Sequence, residues 1–297
     1  MDGYIFLTIL TKFILYLACF FTIGTVFYRY CFQPKQSAIN LAFGAQSIKL
    51  FVSLFALIGL VASILSFLIK LLSLSNSFAG LFDTELISLL WNTSTGDAFI
   101  LRIIGFSVIL LCCKFWWDKA DQISLILLLC ASVLILKSFS SIGHIHSLNS
   151  FFSQLLSMLH LLGLCLWIGV LIPLYQFTRK PKFMQQAQQC AEIFGYWAIR
   201  FVPVLLGAGI WLAYQLLGSW NALFKSQFGQ ILLIKLIVVY LLLIIAALNK
   251  FYYVAKMRAD QPNTIRNFHR SIKLELVLVG IIFYCSAMLT SVTSLPQ

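Results

Sequence analysis

Long apolar runs separated by short polar segments dominate the hydrophobic pattern of this chain. Runs of about 18–25 apolar residues are the signature of membrane-spanning helices, because a helix of that length crosses the hydrocarbon core of a bilayer. The sequence contains eight such runs, at approximately 5–28, 48–72, 97–117, 121–138, 154–177, 193–216, 229–248 and 272–292. The pattern predicts an all-α, polytopic membrane protein, a bundle of about eight transmembrane helices.

The connections between these runs are short, so we expect residues 1–297 to form a single membrane domain. The longest predicted outer segment, 73–96, is expected to contain a short interfacial helix from Thr84 to Trp91, capped by Asp83 or Thr84 and anchored by Trp91. The first apolar run follows no basic segment and precedes no small-residue cleavage site. We therefore expect it to remain as a helix rather than to be removed as a signal peptide.

Composition supports lipid as the surroundings of this chain. Hydrophobic residues make up 61% of the sequence and charged residues only 10%, with a mean hydropathy of +0.95. A soluble domain carries about 25% charged residues, which cover its surface. A water-soluble globule is therefore excluded as the fold.

Lysine and arginine are distributed unevenly between the two sides of the predicted bundle. If the N-terminus lies outside, fourteen of the 21 basic residues fall on inner connections, and three, Lys70, Lys137 and Lys225, fall on outer ones. The remaining four lie within spans: Lys12, Arg102, Arg200 and Lys235. The positive-inside rule then predicts that both termini lie outside (N-out/C-out). The net charge of +12 is explained by a cytoplasmic face next to anionic lipid and does not indicate nucleic acid as a partner.

Three of the four histidines lie close together in the sequence. His144 and His146 belong to the predicted outer connection before the fifth span, and His160 lies early in that span. Residues i and i+2 of an extended segment point the same way, and imidazole binds copper, zinc, iron or nickel. An ionisable residue inside the membrane is a functional-site hypothesis by default. We predict a metal site of His144, His146 and His160, and an ordinary interfacial position for His269.

The fifth span places further residues of interest around His160. His160, Gly163 and Trp167 share one helical stripe, and Gly163 and Gly169 permit close approach of a neighbouring helix. Met158 and Cys165 carry soft sulfur atoms that favour Cu⁺, although neither lies on the His160 stripe.

Several segments carry a family resemblance. They are the pair Gly143-His144, LLSMLHLLGLCLWIGVLIPL at 155–174, FGQILLIKLIVVYLLLIIAALNKF at 228–251, STGDAFILRIIG at 94–105 and RSIKLELVL at 270–278. In these segments the chain resembles the copper resistance D (CopD) family of bacterial inner-membrane proteins, with the core best matched at 94–292.

The resemblance implies copper ion transport across the bacterial inner (plasma) membrane, or copper homeostasis and resistance more broadly. It implies copper, as Cu⁺ or Cu²⁺, as the bound ion and a small periplasmic copper-binding protein (CopC-like) as a partner. His144 and His160 match the family pattern as ligands, Trp167 and Gly169 match it as packing residues, and Arg102 and Lys235 recur in it. The chain contains no GxxxxGK[ST] stretch, so we expect a metal transporter that is not an ATP-hydrolysing enzyme.

The cations within the spans leave alternatives open. A path for Cu⁺ should not be lined by unpaired cations such as Arg102 and Lys235, because like charges repel strongly at low dielectric. Either nearby acids neutralise them, with Asp97, Asp83 and Glu85 as candidates, or the site holds an anionic group. The second case predicts a b-type haem or quinone-linked electron-transfer protein.

A third interpretation is a scaffold that docks a periplasmic copper carrier without transporting copper. For a transporter, the possible steps beyond the histidines are the polar and sulfur side chains Asn249, Cys165, Cys130 and Met288.

Overall fold

In a computed structural model, the described part of the chain forms eight helices that are long and apolar enough to cross a membrane, which confirms the predicted number. The structure describes residues 2–32, 45–117, 122–143, 150–179, 183–257 and 262–291. Within these ranges the chain is helical apart from turns, and no β-strand occurs. The spanning helices are α1 (Asp2–Phe27), α2 (Ala45–Ser75), α3 (Ser94–Phe115), α4 (Gln122–Ser140), α5 (Phe151–Phe177), α6 (Met184–Leu217), α7 (Gln227–Leu248) and α8 (Pro262–Leu289).

Short helical elements extend or connect these spans. π-helices continue α1 over Tyr28–Phe32 and α7 over Asn249–Tyr253, and the latter runs into the short helix Val254–Met257. A 3₁₀ turn, Phe78–Leu81, follows α2, and a six-residue helix, Trp220–Lys225, precedes α7. The two π-helices matter because such turns break the regular hydrogen-bond ladder and often accompany functional sites.

Two spans begin well before the positions predicted from hydropathy. Helix α6 begins at Met184 rather than near 193, and α8 begins at Pro262 rather than near 272. Both early segments are polar, so an apolar window does not detect them, although polar side chains at headgroup depth leave a helix intact. For α8 the difference moves Glu275 from the predicted inner end of the span to the middle of the helix.

The predicted interfacial helix is confirmed at Thr84–Trp91. Asp83 is its N-cap, since the side chain accepts hydrogen bonds from the backbone N–H groups of Glu85 and Leu86. The Trp91 ring is 46% exposed and packs edge-to-face against Phe67 of α2. The cap and the aromatic anchor hold this helix against the ends of α2 and α3.

Two contacts between spans identify the two ends of the bundle. Lys12 of α1 donates to the Thr290 carbonyl just beyond α8, which places the start of α1 beside the end of α8. At the opposite end, the Thr178 hydroxyl after α5 contacts His269 Nδ1 in α8 at 2.9 Å. We call the end with Lys12 and Thr290 the predicted outer end. Its assignment to the outside rests on the lysine and arginine distribution and stays a prediction.

Helix α1 links the first four spans to the last four, because it packs against α2, α5 and α8. Its closest approach is to α5, where the backbones of Gly24 and Gly169 touch and leave no room for a Cβ atom on either residue. Small residues permit this kind of backbone contact between membrane helices. Gly169 of α5 thus packs directly against Gly24 of α1.

Candidate functional site

His160 lies half-buried between α5 and α6, near the predicted outer end. Its Nδ1 lies 2.9 Å from the backbone carbonyl oxygen of Leu205, and its ring rests against Gly209, where a Cβ atom would come within 2.9 Å of Cε1. A carbonyl oxygen can only accept, so Nδ1 carries the hydrogen and the neutral ring keeps a lone pair on Nε2. Metal-binding histidines are commonly oriented in this way by a carbonyl group.

The other two predicted ligands, His144 and His146, lie outside the described residues, so their distance from His160 stays open. Within the described ranges, no group of three or more His, Cys, Asp or Glu side chains is close enough together to hold a metal ion. The three-histidine site therefore stays a prediction, of which the structure describes one member.

A cavity of about 260 Å³ adjoins His160 in the predicted outer half of the bundle. Helices α1 and α5–α8 form most of its wall, and the residues on the predicted stripe, His160 and Trp167, both face it. Its polar and charged lining consists of Tyr16, Ser157, His160, Trp167, Lys235, Ser286 and Thr290. We call this space the outer cavity. Lys235 brings a cationic side chain to the same wall as His160.

Arg102 lies deep in the same half of the bundle with only 8% of its surface exposed. Its Nε donates to Ser138 Oγ at 3.0 Å, and its guanidinium lies 4.8 Å from the centre of the Phe139 ring. The hydroxyl of Ser138 donates in turn to the Ile135 carbonyl. These contacts orient the guanidinium without neutralising its charge.

Arg102 does not contact the acids suggested as its partners, Asp97, Asp83 and Glu85; its contacts are Ser138 and Phe139. Asp83 instead caps the interfacial helix, and Asp97 and Glu85 are exposed. The electrostatic neighbours of Arg102 include Tyr16, Cys19 and Lys12, none of which is a carboxylate. Among the described residues, the predicted outer half of the bundle is thus cationic around the outer cavity.

We expect Arg102→Met to leave the protein as stable as the wild type or more stable, because methionine fills most of the same space without burying an unpaired charge. Arg102→Ala is the matched control and should lower the melting temperature, since it also removes the packing of the long side chain. Thermal unfolding of the purified protein in detergent measures both. A melting temperature for Arg102→Met as low as that of Arg102→Ala would contradict the expectation.

A second polar cluster joins three helices near the middle of the bundle. Glu275 of α8 is 3% exposed, and its Oε2 accepts a hydrogen bond of 3.2 Å from Trp167 Nε1 of α5. Its Oε1 accepts from the Nδ2 of Asn249, the first residue of the π-helix after α7. Asn249 is one of the possible pathway residues named from the sequence, which gives no indication of its contact with Glu275. The sequence feature that could have indicated Glu275 is the segment 270–278, which contains it and resembles the family pattern.

The cluster borders a second cavity, of about 370 Å³, towards the predicted inner end. Helices α5–α8 and the π-helix after α7 form its wall, which is apolar except around Asn249, Lys250 and Glu275. We call it the inner cavity. The Trp167 ring, 5% exposed, belongs to the walls of both cavities and so stands between them.

The remaining sulfur side chains are scattered. Cys165 is fully buried on the side of α5 that faces α1, and the buried thiol of Cys19 is its neighbour there. Met158 is half-buried in the hydrophobic core, and Cys130 is exposed on α4. None of the suggested sulfur residues lines either cavity, which holds for Cys165, Cys130, Met288 and Met158. Cys19 and Cys165 nevertheless bring two soft ligands together at the α1–α5 contact.

Comparison with known families agrees with this architecture. The family description "Copper resistance protein D" matches residues 188–289, and "Copper resistance protein D-like, N-terminal domain" matches residues 1–147. The chain belongs to the copper resistance protein D family. The two matches include α1–α4 at one end of the chain and most of α6 with α7 and α8 at the other. The resemblance inferred from the sequence is thus confirmed.

Two curated relatives extend the comparison. Inner membrane protein YebZ of Escherichia coli (strain K12) is 27% identical over 136 residues, which is 45% of this chain and 46% of that protein. Copper transport protein CutJ of Bacillus subtilis (strain 168) is 26% identical over 148 residues, which is 48% of this chain and 26% of that protein. The chain therefore spans less than half the length of either relative. No solved structure matches it.

Together, the eight spans, the family and the relative named as an inner membrane protein identify a multi-pass protein of the inner membrane.

Proposed function

We propose that this chain carries copper ions across the inner membrane, with His160 as a ligand at the outer cavity. The supporting observation is the orientation of the imidazole, because the Leu205 carbonyl takes the Nδ1 hydrogen and leaves Nε2 for a metal. Family membership supports copper as the metal, and the relative from Bacillus subtilis is named a copper transport protein. No ATP hydrolysis enters the proposal.

In this proposal, copper is captured at the periplasmic face by His144, His146 and His160. The two histidines of the predicted outer connection bind the ion first, and His160 receives it at the outer cavity. A small periplasmic copper-binding protein of the CopC kind is the proposed donor or acceptor at that face. Copper held as Cu⁺ would find soft sulfur ligands in the Cys19–Cys165 pair.

His160→Ala tests the ligand role, and His269→Ala is the matched control. His269 stacks on Tyr175 and contacts Thr178 at the opposite end of the bundle, on the wall of neither cavity. We expect His160→Ala to weaken copper binding by at least about tenfold, the effect found when even an outer partner of a metal ligand is lost. Copper affinity of the purified protein, measured against a competing chelator, and copper uptake into proteoliposomes are the measurements.

Wild-type copper affinity and uptake in His160→Ala would overturn the ligand role. The same loss in His269→Ala would show that the assay reports general damage. If copper binds normally and no flux occurs in the wild type, the chain is instead a membrane scaffold that docks a copper carrier.

The cations near the outer cavity favour one second candidate, a haem or quinone-linked electron-transfer protein. Lys235 lines the cavity and Arg102 lies near it, which suits haem propionates or the polar head of a quinone. Haem also needs axial ligands, and His160 can supply one. An absorption spectrum of the purified protein separates the two functions: a Soret band supports haem, and a colourless protein that binds Cu⁺ supports copper.

A further inference from the structure

Glu275 occupies a position that is costly for a carboxyl group. It lies near the middle of α8 with 3% of its surface exposed. Burial of an ionisable group in a membrane bundle is costly unless the group is paired, so such residues are candidates for a functional role. Its observed partners are neutral, since both hydrogen bonds come from N–H groups, the indole of Trp167 and the amide of Asn249. With both oxygens accepting, the arrangement fits the ionised carboxylate.

Asn249 has an unused acceptor beside this carboxylate. The side chain is 7% exposed, and its Oδ1 is buried without a hydrogen-bond partner in the part of the chain that the structure describes. An amide can offer either end to a neighbour: Nδ2 donates to a carboxylate, and after rotation about its last side-chain bond Oδ1 accepts from a carboxylic acid. Asn249 therefore matches both protonation states of Glu275. Its place at the start of a π-helix is a further mark of a functional position.

The inner cavity provides space for water beside Glu275 and Asn249. Its volume of about 370 Å³ exceeds what a single water molecule requires, and polar groups of Asn249 and Glu275 provide partners for water at the wall. The other charged side chain on the wall is Lys250, whose Nζ donates to the Gly195 carbonyl of α6 at 2.6 Å.

The remaining helices around Glu275 bring no charged group to the cavity. Helix α5 contributes Trp167, and α6 contributes apolar side chains such as Phe194. Helix α1 also packs on α8, but none of its described residues lines the inner cavity. Among the described residues on this wall, Glu275 is thus the acidic side chain that can bind a proton.

We propose that Glu275 is a proton-binding site, which exchanges its proton with water in the inner cavity. The step is the transfer of H⁺ from hydronium to the carboxylate, which yields the carboxylic acid and water. Trp167 Nε1 and Asn249 Nδ2 hold the carboxylate, and Asn249 Oδ1 holds the acid. A metal ion fits less well, because two oxygen donors are too few for a hard cation and copper prefers nitrogen and sulfur.

A proton site next to a transport path provides a means of driving transport. We extend the proposal to coupling: proton exchange at Glu275 accompanies copper movement, which rests on the proposed function above. The copper ligand, His160, and the proton site then lie on opposite sides of the Trp167 ring.

Infrared spectroscopy of the purified protein in detergent, recorded across a pH series, tests the proton site. We expect a band from a protonated carboxyl group in dry surroundings to appear and vanish with pH in the wild type. Glu275→Gln should abolish it, whereas Glu85→Gln, at an exposed acid of the interfacial helix, should leave it unchanged. Glu275→Asp keeps a carboxyl group and should shift the band rather than remove it, which assigns the signal even if the Gln variant folds poorly.

Spectra of the wild type and the Glu275 variants that show no such band at any pH would overturn the proton site. Coupling is tested separately in proteoliposomes by the response of copper flux to an imposed pH gradient. We expect Glu275→Gln to lose this response while it retains equilibrium copper binding. A wild type whose copper flux ignores the gradient would overturn coupling. A wild type with no flux at all would overturn the proposed function, while the infrared result would still decide the proton site.

Discussion

Adding one methyl group at Gly169 is expected to force α1 away from α5 and to lower the free energy of unfolding by about 1–3 kcal/mol, the usual cost of overpacking. The cause is the contact with Gly24, because a Cβ atom on Gly169 would overlap the Gly24 backbone. A backbone cannot move aside as a flexible side chain can, so the two helices must separate. Thermal unfolding of Gly169→Ala in detergent measures the loss.

Gly207→Ala is the matched control for this prediction. Gly207 lies within α6, and a Cβ atom there would meet nothing within 4 Å. Alanine is the better helix former by about 1 kcal/mol, so this variant should be as stable as the wild type or more stable. The double variant Gly24→Ala/Gly169→Ala should lose less than the sum of the single losses, because one separation of the helices relieves both overlaps. A stable Gly169→Ala protein would show that α1 and α5 are not held at this distance.

Trp167→Ala is expected to have the largest effect on stability, a loss of about 3–5 kcal/mol, as found for buried tryptophan and phenylalanine truncations. The ring is 5% exposed, packs edge-to-face against Phe194 and separates the outer cavity from the inner one. Truncation joins two spaces of about 260 and 370 Å³ and removes the Trp167 hydrogen bond to Glu275.

Trp167→Phe distinguishes the contribution of ring packing from that of the indole N–H group. It keeps most of the packing and leaves one oxygen of Glu275 without its donor, for which we expect a smaller cost of about 1–3 kcal/mol. The melting temperatures should therefore fall in the order wild type, Trp167→Phe, Trp167→Ala. In proteoliposomes, Trp167→Ala should also leak protons, whereas Trp167→Phe should not. Equal stability of the two variants would show that packing of the aromatic ring contributes little to the free energy of unfolding.

The features that depend on neighbouring residues were predictable from the sequence. The eight spans follow from the hydropathy pattern and the helix Thr84–Trp91 from the local sequence, and the structure confirms both. Asp83, one of the two caps considered, is the cap observed. The close approach permitted by Gly169 was predictable too, because a small residue in a membrane helix favours contact whatever the partner is.

The features that depend on distant residues were not predictable. Trp167, Asn249 and Glu275 come from three helices, and no local pattern indicates which buried polar groups will meet across a bundle. The same holds for Gly24 as the partner of Gly169 and for Ser138 as the partner of Arg102. The charge of Arg102 led us to expect an acidic partner, but its Nε donates instead to the hydroxyl of Ser138, two residues before the end of α4.

The Gly24–Gly169 contact also has a mechanical consequence, because it lies near one end of α1. The contact can act as a pivot for α1, and the part of the helix from Gly24 back to Asp2 extends about 33 Å from it at 1.5 Å per residue. A tilt of about 5° around this point would displace the start of α1 by about 3 Å and Tyr16 by about 1 Å, by the same helical rise. Tyr16 and Phe20 of α1 form part of the outer cavity's wall, whereas the described part of α1 contributes nothing to the inner one. Rocking of this single helix would thus widen or narrow the space beside His160 and leave the surroundings of Glu275 in place.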